Sequence, residues 1–248
     1  MKIRRYARAH KVLRCIDKSL SEALKVIFIP FLFVALYGIY DVFSIEIEAI
    51  KAKDVAKSYY SETDDAVDFK SLKEKNPEII AWIKIPDTSI NYPVMQGSDN
   101  RYYLTHDFER NFATVGGIFL DYRNDANFLD NYSVVYGHRM SKGRMFSDVG
   151  EYADKDYFKN HGVGMLYTES GNYELRFVAF ASVYGDEAEI YNIGAYRKEE
   201  AVEKIMQSAK VVVDGFDKDS LGDVVLLSTC STEELMLRDV LLAEKVRR

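Results

Sequence analysis

The hydrophobic pattern begins with a long apolar segment near the amino terminus. Residues 23–40 read ALKVIFIPFLFVALYGIY and contain one charge, Lys25, close to the beginning. A helix rises about 1.5 Å per residue, so this segment would span roughly 27 Å, which is enough to cross the hydrocarbon core of a bilayer. The pattern therefore predicts a transmembrane helix. A cleavable signal peptide is one alternative and a buried core helix is another.

The next segment, residues 41–75, is charged and rich in Ala, Glu and Lys. These residue types favour helix formation. We expect a helical spacer here, which includes a helix packed on the domain that follows.

After Asn76-Pro77 the pattern changes to short apolar runs that are separated by turn residues. Runs of this length and spacing are typical of β-strands. The predicted strands are 81–86, 89–95, 116–122, 132–138, 164–168, 173–185, 211–215, 223–230 and 238–246. One stretch between them, residues 197–210, instead has its apolar residues at helical spacing. The pattern as a whole predicts a mainly β domain that forms a closed or nearly closed barrel.

Charge is distributed unevenly along this pattern. Residues 1–40 hold eight Lys or Arg and two Asp or Glu, although the whole chain has a net charge of −6. The positive-inside rule then predicts that residues 1–22 stay in the cytoplasm and that the chain after the apolar segment faces outside. The acidic outer part also argues against a general nucleic-acid binder. We therefore divide the chain into a cytoplasmic basic segment (1–22), a transmembrane anchor (23–40), a helical spacer (41–75) and an extracellular β-barrel domain (76–248).

The chain lacks the short motifs of several common enzyme classes, namely HExxH, CxxC, the Walker loop and GxSxG. Residues 121–130 space oxygen-bearing side chains somewhat like a calcium loop, but Ala126 stands where the sharp-turn glycine belongs. We therefore expect neither a metal ion nor another cofactor.

Cys230 is the candidate for covalent chemistry. Cys15 and Cys230 are the two cysteines, and the predicted membrane separates them, so they cannot pair. Cys230 ends the apolar strand 223–230. A free thiol has a pKa of about 8.5, so only a few per cent is thiolate at neutral pH. A nucleophilic cysteine therefore needs a base or a positive charge beside it.

His138 and Arg238 are candidates for the base and the positive charge beside Cys230. His138 ends the apolar strand 132–138, and functional side chains are common where strands end in loops. Arg238 opens the strand 238–246, and a hairpin would return it beside Cys230, where a guanidinium stabilises a thiolate or an oxyanion. The spacing thus suggests an acyl-transfer site. In the alternative, Cys230 is a small buried hydrophobe, His138 a structural residue and Arg238 a surface charge.

Several segments together resemble the sortases and, within them, class B. The segments are WIKIPDTSINYPVMQGSDNRYYLTHDF (82–108), GGIFLDYRN (116–124), VVYGHRM (134–140), LLSTC with an arginine eight residues further on, and the helix at 197–210. The resemblance extends from about residue 76 to the end of the chain and includes the anchor before it. It implies a closed eight-stranded sortase-type β-barrel with N-terminal helices, a helix between the late strands and one transmembrane helix in front.

The resemblance also implies roles for individual residues. Cys230 is then the nucleophile, His138 the general acid and base, and Arg238 the group that positions the substrate and stabilises the oxyanion. The positions similar to the family's substrate contacts are Asn100, Leu104, Ile190, Tyr191 and Ser228. No metal requirement is implied.

The activity implied by the resemblance is that of a cysteine transpeptidase. Sortases cleave secreted proteins after the threonine of a C-terminal sorting motif and pass the acyl group to an amine of a cell-wall precursor or to a pilin lysine. Two alternatives stay open, namely a membrane-anchored cysteine hydrolase, in which water completes the reaction, and a barrel that binds without chemistry. The chain has Leu226 where the family commonly has a threonine, and STEELML follows the cysteine, so the preferred motif also stays open.

Overall fold

The computed structural model describes residues 2–140, 143–230, 234 and 236–248. The chain divides into two compact units, Met1–Ile47 and Glu48–Arg248. The second unit contains the predicted β domain.

The long helix α1 covers Lys2–Lys57 and contains Pro30. Among the described residues, one segment of this helix, Leu24–Ile45, is long and apolar enough to cross a membrane, with a mean hydropathy of 2.1. Its side chains are mostly exposed, because no other part of its own unit covers them. This segment fits either a membrane anchor or a signal sequence.

The chain between α1 and the barrel forms two small elements. Tyr60–Ser61 pairs with Ala66–Val67 in a short antiparallel hairpin. Helix α2 follows at Phe69–Lys75, and its N-cap is Asp68, whose carboxylate accepts a hydrogen bond from the Ser71 N–H at 3.0 Å. The predicted helical spacer is thus helical at its beginning and at its end, with this hairpin between.

In the part of the chain that the structure describes, eight strands form a closed barrel. The strands are β1 Ile79–Lys84, β2 Asn91–Met95, β3 Ile118–Leu120, β4 Tyr132–Tyr136, β5 Val163–Thr168, β6 Gly171–Tyr184, β7 Val224–Cys230 and β8 Leu237–Arg247. Their order around the barrel is β6-β8-β7-β4-β3-β2-β1-β5, and pairing of β5 with β6 closes the ring. The pairs β4/β7 and β2/β3 run parallel, and the other neighbours run antiparallel. The mainly β, closed barrel predicted above is confirmed.

The remaining described elements lie in the connections between the barrel strands. They are helices α3 Lys155–Asn160, α4 Ala188–Tyr191 and α5 Lys198–Gln207, the edge strand Ala209–Val212 beside β6, the hairpin of Arg139–Met140 with Arg144–Met145, and the 3₁₀ turns Tyr102–Leu104, Ser147–Ala153 and Lys218–Ser220. Helix α5 lies between β6 and β7 in the chain, as predicted.

Three apolar cores pack against the barrel wall, and the one around Trp82 joins β1 to α2 and to the 3₁₀ turn at Tyr102–Leu104. All eight strands contribute to the inner core, whose members include Ile83, Val94, Leu120, Val135, Leu166, Phe177, Leu227 and Leu241. The outer core joins β7 and β8 to α5, through residues such as Leu226, Val240 and Ile205. Side chains alternate between faces along a strand. Cys230 and Arg238 therefore share the outer face with Leu226 and Val240, while their neighbours Thr229 and Asp239 point inward.

Candidate active site

A cleft of about 340 Å³ opens on the outer side of the barrel where β4 and β7 end and β8 begins. Seven of the predicted site residues line it, namely Asn100, Leu104, His138, Tyr191, Ser228, Cys230 and Arg238. These residues come from five separate stretches of the chain. The cleft is therefore a product of the barrel's topology rather than of any local motif.

Cys230 and Arg238 meet through strand pairing. Cys230 is the last residue of β7, is exposed, and is the direct cross-strand partner of Arg238 on β8. One guanidinium nitrogen of Arg238 donates a hydrogen bond to the Leu237 carbonyl at 3.0 Å. The guanidinium also lies against Gly185, where an added Cβ would be 3.4 Å from Cζ. The expected hairpin thus places the arginine beside the cysteine.

His138 reaches the same cleft through the parallel pairing of β4 with β7. The Gly137 N–H donates to the Ser228 carbonyl at 3.1 Å, which continues this pairing past the end of β4. The ring Nε2 of His138 lies 2.7 Å from the Leu104 carbonyl oxygen. Because a carbonyl oxygen only accepts, Nε2 carries a hydrogen in this contact. Nδ1 is then the ring nitrogen that can accept a hydrogen bond.

Gly116 fits closely behind this histidine. Its φ of +59° lies in the left-handed region, and a Cβ there would be 2.7 Å from the Leu104 oxygen and 2.9 Å from Cδ2 of His138. Both distances are shorter than van der Waals contact, so a side chain at this position would displace the ring or its carbonyl partner. The absence of a side chain at Gly116 therefore leaves the space in which the His138 ring and its carbonyl partner lie.

Tyr191 and Ser228 contact each other at the cleft wall. Their hydroxyl oxygens are 3.0 Å apart. Burial raises the pKa of Tyr191 to about 12, although the hydrogen bond with Ser228 and the charge of Arg238 act in the opposite direction. The phenol is therefore neutral at physiological pH and can donate a hydrogen bond.

The structure does not bring Ile190 to the cleft. Its side chain is 0% exposed and packs in the outer core, and its carbonyl accepts a hydrogen bond from the Tyr132 hydroxyl at 3.1 Å. Neighbouring residues on the short helix α4 point in different directions, so Tyr191 faces the cleft while Ile190 faces the protein. The expected substrate contact at Ile190 is therefore a packing residue in this structure.

Sequence reasoning missed Asp121, which organises much of the cleft. This carboxylate is completely buried and accepts hydrogen bonds from Asn100 at 2.7 Å, from Tyr136 at 3.0 Å and from Arg123 at 2.8 Å. Burial by itself would raise the pKa of Asp121, but the hydrogen bonds from Arg123 and Asn100 together hold that pKa below its usual range. Asp121 is therefore ionised at neutral pH.

Arg123 extends this network to helix α4. The same nitrogen that binds Asp121 also donates to the Tyr191 carbonyl at 2.6 Å, and the other terminal nitrogen lies 3.2 Å from the Asn192 amide oxygen. Asn100 is engaged as well, because its amide oxygen accepts from the Tyr122 N–H at 3.0 Å. A run of polar residues directly after a buried strand was a visible signal, but the sequence analysis considered these residues only as a calcium loop and rejected that interpretation because of Ala126. Among the described residues, no group of three or more acidic, His or Cys side chains could hold a metal ion.

Comparison with known proteins places the chain in a family and its barrel in a known fold. No family model matches the chain. The chain is 34% identical to sortase B of Listeria monocytogenes over 197 residues, which cover 75% of this chain and 76% of that protein. The structure of a Staphylococcus aureus sortase B–substrate complex superposes with a TM-score of 0.63 at 27% identity, covering 72% of this chain and 84% of that one. A Streptococcus pyogenes class B sortase involved in pilus biogenesis gives a TM-score of 0.64 at 26% identity, with coverage of 72% and 98%.

The closed eight-stranded barrel of this chain is thus the fold of the class B sortases. The chain belongs to class B of that family, whose members are cysteine transpeptidases. The resemblance found in the sequence is confirmed.

Proposed function

We propose that Cys230, His138 and Arg238 are the catalytic residues of a membrane-anchored transpeptidase. The enzyme cleaves secreted proteins after the threonine of a C-terminal sorting motif and transfers the acyl group to an amine, either of a cell-wall precursor or of a pilin lysine. The observation that carries the proposal is that His138, which is distant in sequence from Cys230 and Arg238, lines the same cleft as those two residues. The substrate complex of the Staphylococcus aureus relative and the pilus-biogenesis role of the Streptococcus pyogenes relative support it.

The first half of the reaction forms a thioester. The Cys230 thiol gives its proton to Nδ1 of His138, and the resulting imidazolium stabilises the thiolate. The thiolate attacks the threonine carbonyl carbon, which forms a C–S bond and places negative charge on the carbonyl oxygen. Arg238 donates to this oxyanion. The C–N bond then breaks, and His138 gives its proton to the departing amine.

The second half transfers the acyl group. Neutral His138 takes a proton from the incoming amine as that amine attacks the thioester carbonyl. The new C–N bond forms, the C–S bond breaks, and the thiolate is regenerated beside the imidazolium. Asn100, Leu104, Tyr191 and Ser228 line the space in which the motif would lie. A volume of about 340 Å³ falls within the range of ligand pockets, at its lower end, and suits a few residues of extended peptide.

Helix α1 supplies the proposed anchor. Leu24–Ile45 would cross the membrane with the basic residues before it in the cytoplasm, in accordance with the positive-inside rule. The barrel would then lie outside, where secreted substrates emerge. Protease treatment of intact cells is expected to remove the barrel and leave the basic segment protected. Protection of the barrel would contradict this orientation.

The test of function uses the full-length chain in membranes. A library of sorting-motif peptides with an added amine is expected to yield amide products, and mass spectrometry is expected to find the acyl group on Cys230. The variant Cys230→Ala is expected to lose turnover by at least about 1,000-fold, whereas the matched control Cys15→Ala keeps it. Retained turnover in Cys230→Ala would overturn the proposal. Products of hydrolysis alone, with the amine in excess, would favour the cysteine hydrolase.

A further inference from the structure

A buried ion pair lies behind the proposed catalytic residues. Arg139 immediately follows His138, and Asp239 immediately follows Arg238. The Arg139 guanidinium donates to the Asp239 carboxylate at 2.8 Å, and the two side chains are 20% and 6% exposed. The pair joins positions that are 100 residues apart in the chain.

Strand alternation places Asp239 on the inner face of the barrel wall. Along β8, Asp239 shares a face with the inner-core residue Leu241, whereas Arg238 shares a face with Val240 of the outer core. Asp239 is also the cross-strand partner of Thr229, the residue before Cys230. The carboxylate therefore sits directly behind the strand ends that carry the cysteine and the arginine.

Neighbouring groups hold both partners of the pair. The Ser182 hydroxyl on β6 donates to the other oxygen of Asp239 at 2.8 Å. The guanidinium of Arg139 lies on the backbone of Gly150, where an added Cβ would overlap it. The ion pair thus has a defined geometry, because Ser182 holds the carboxylate and the backbone at Gly150 packs against the guanidinium.

The pair extends the link between the histidine segment and the barrel. Strand β4 ends at Tyr136, and the main-chain bond from Gly137 to Ser228 continues its pairing for one more residue. Past that point, the His138 carbonyl accepts from the Phe146 N–H at 3.0 Å, which belongs to the following hairpin region. The Arg139 side chain binds Asp239 on β8. The residue after His138 is thereby connected to the strand that carries Arg238.

Stability alone does not account for such a pair. Removing two charges from water costs free energy that their attraction often only offsets, so a buried ion pair adds little net stability. Its geometry, in contrast, is strict, because the guanidinium and carboxylate must stay in contact once they are buried. A buried pair is therefore better suited to fixing a position than to strengthening the fold.

We propose that the Arg139–Asp239 ion pair is a positioning device that holds His138 in register with Cys230 and Arg238. This inference rests on the proposed function of those three residues. Neither member of the pair touches the substrate. The pair acts through the backbone of the residues that precede its members, so its loss should impair the chemical step more than substrate binding.

The main test is the double variant Arg139→Met with Asp239→Asn in the full-length chain. It removes both charges together, so neither is left unpaired, and the amide oxygen introduced by Asp239→Asn would still accept from Ser182. Small displacements of catalytic groups reduce rates by up to about 100-fold. We therefore expect kcat to fall about 10- to 100-fold, with KM changed less than about threefold and little change in Tm. The single conservative variant Arg139→Lys keeps a positively charged partner for Asp239. Its kcat should therefore lie between that of the double variant and that of the unmodified chain.

The matched control is an ion pair of similar length on the barrel surface. Arg176 lies 2.8 Å from Glu174, and the two side chains are 54% and 30% exposed. The double variant Arg176→Met with Glu174→Gln removes the same charges away from the cleft. It is expected to leave kcat unchanged.

A second measurement is independent of turnover. In a Cys15→Ala background, the alkylation rate of Cys230 is followed against pH. The ionisable groups that line the cleft with it are Arg123, Tyr136, His138, Tyr191 and Arg238. Loss of register weakens the thiolate–imidazolium pair, so the alkylation profile of the double variant should shift to higher pH.

The outcomes separate the two proposals. An unshifted alkylation profile, or a kcat per folded molecule equal to that of the unmodified chain, would overturn the positioning role, even if Tm falls. Absence of transpeptidation by the unmodified chain would instead overturn the proposed function. A shifted profile together with a reduced kcat and normal KM supports the positioning role.

Discussion

The cleft has two walls that are built in different ways. The strand wall consists of Cys230, Arg238 and His138, and main-chain pairing places each of them. The network wall consists of Asn100, Arg123, Tyr191 and the hydroxyl of the β4 residue Tyr136, and hydrogen bonds to or through the buried Asp121 hold these groups.

Because the two walls are held in different ways, substitutions in them should have different effects. A side chain on the strand wall can be changed without altering the backbone that carries it, because ladder hydrogen bonds do not depend on side-chain identity. The network wall depends on one carboxylate, and its loss leaves several donors without their acceptor. We therefore expect changes in the strand wall to affect rate, and changes in the network wall to affect stability and binding.

The largest effect is expected from His138→Ala in the strand wall. General acid–base catalysis contributes about 100- to 10,000-fold, so kcat should fall about 1,000-fold while Tm stays close to that of the unmodified chain. Peptide turnover and thermal unfolding of the full-length chain measure both quantities. His106→Ala is the control, because His106 stacks on Tyr102 with ring centroids 4.0 Å apart and lies outside the cleft lining. A similar loss in both variants would contradict the assignment.

The next effect is expected from Asp121→Asn in the network wall. The change keeps the shape but leaves the Arg123 guanidinium without its anionic partner, so we expect a loss of about 3 kcal/mol in the free energy of unfolding. KM should rise more than kcat falls, because Arg123 would no longer hold Tyr191 in place. Denaturant unfolding and steady-state kinetics measure these changes. A fall in kcat at constant stability and KM would place Asp121 with the strand wall instead.

Acid pH should weaken the network wall in a predictable direction. The pKa of Asp121 is lower in the folded protein than its ordinary value, so its ionisation stabilises the fold above the unfolded-state pKa of about 3.9. That stabilisation disappears as the pH falls through the folded-state pKa. The Tm difference between the unmodified chain and Asp121→Asn should therefore be full at neutral pH and shrink below about pH 4. A difference that is constant with pH would mean that charge is not its source.

The smallest effect is expected where the two walls meet, at Tyr191 and Ser228. Tyr191→Phe removes one hydroxyl contact, which is worth about 1 kcal/mol or a change in KM of up to about fivefold. The double-mutant cycle with Ser228→Ala should give a coupling of about 1 kcal/mol in the free energy of unfolding. Additive effects of the two changes would show that the observed contact carries no energy of its own.

Local patterns in the sequence predicted the elements that carry the strand wall. Strands β7 and β8 and helix α5 follow from the period of apolar residues, which depends on near neighbours alone. The spacing of Cys230 and Arg238 indicated a hairpin, and the structure pairs these residues directly. The family resemblance added roles for these residues and for His138, and those roles stay predictions.

Tertiary structure alone decided the contacts that complete the site. The parallel pairing of β4 with β7, the convergence on Asp121 and the Arg139–Asp239 pair join residues that are distant in the chain. The period of hydrophobic residues depends on near neighbours, so it does not predict which distant strands pair or which buried polar groups come into contact. Ile190 shows the same limit, since its orientation depends on packing against the barrel. The chain's own pattern therefore determined its elements, and three-dimensional packing determined which side chains they bring together.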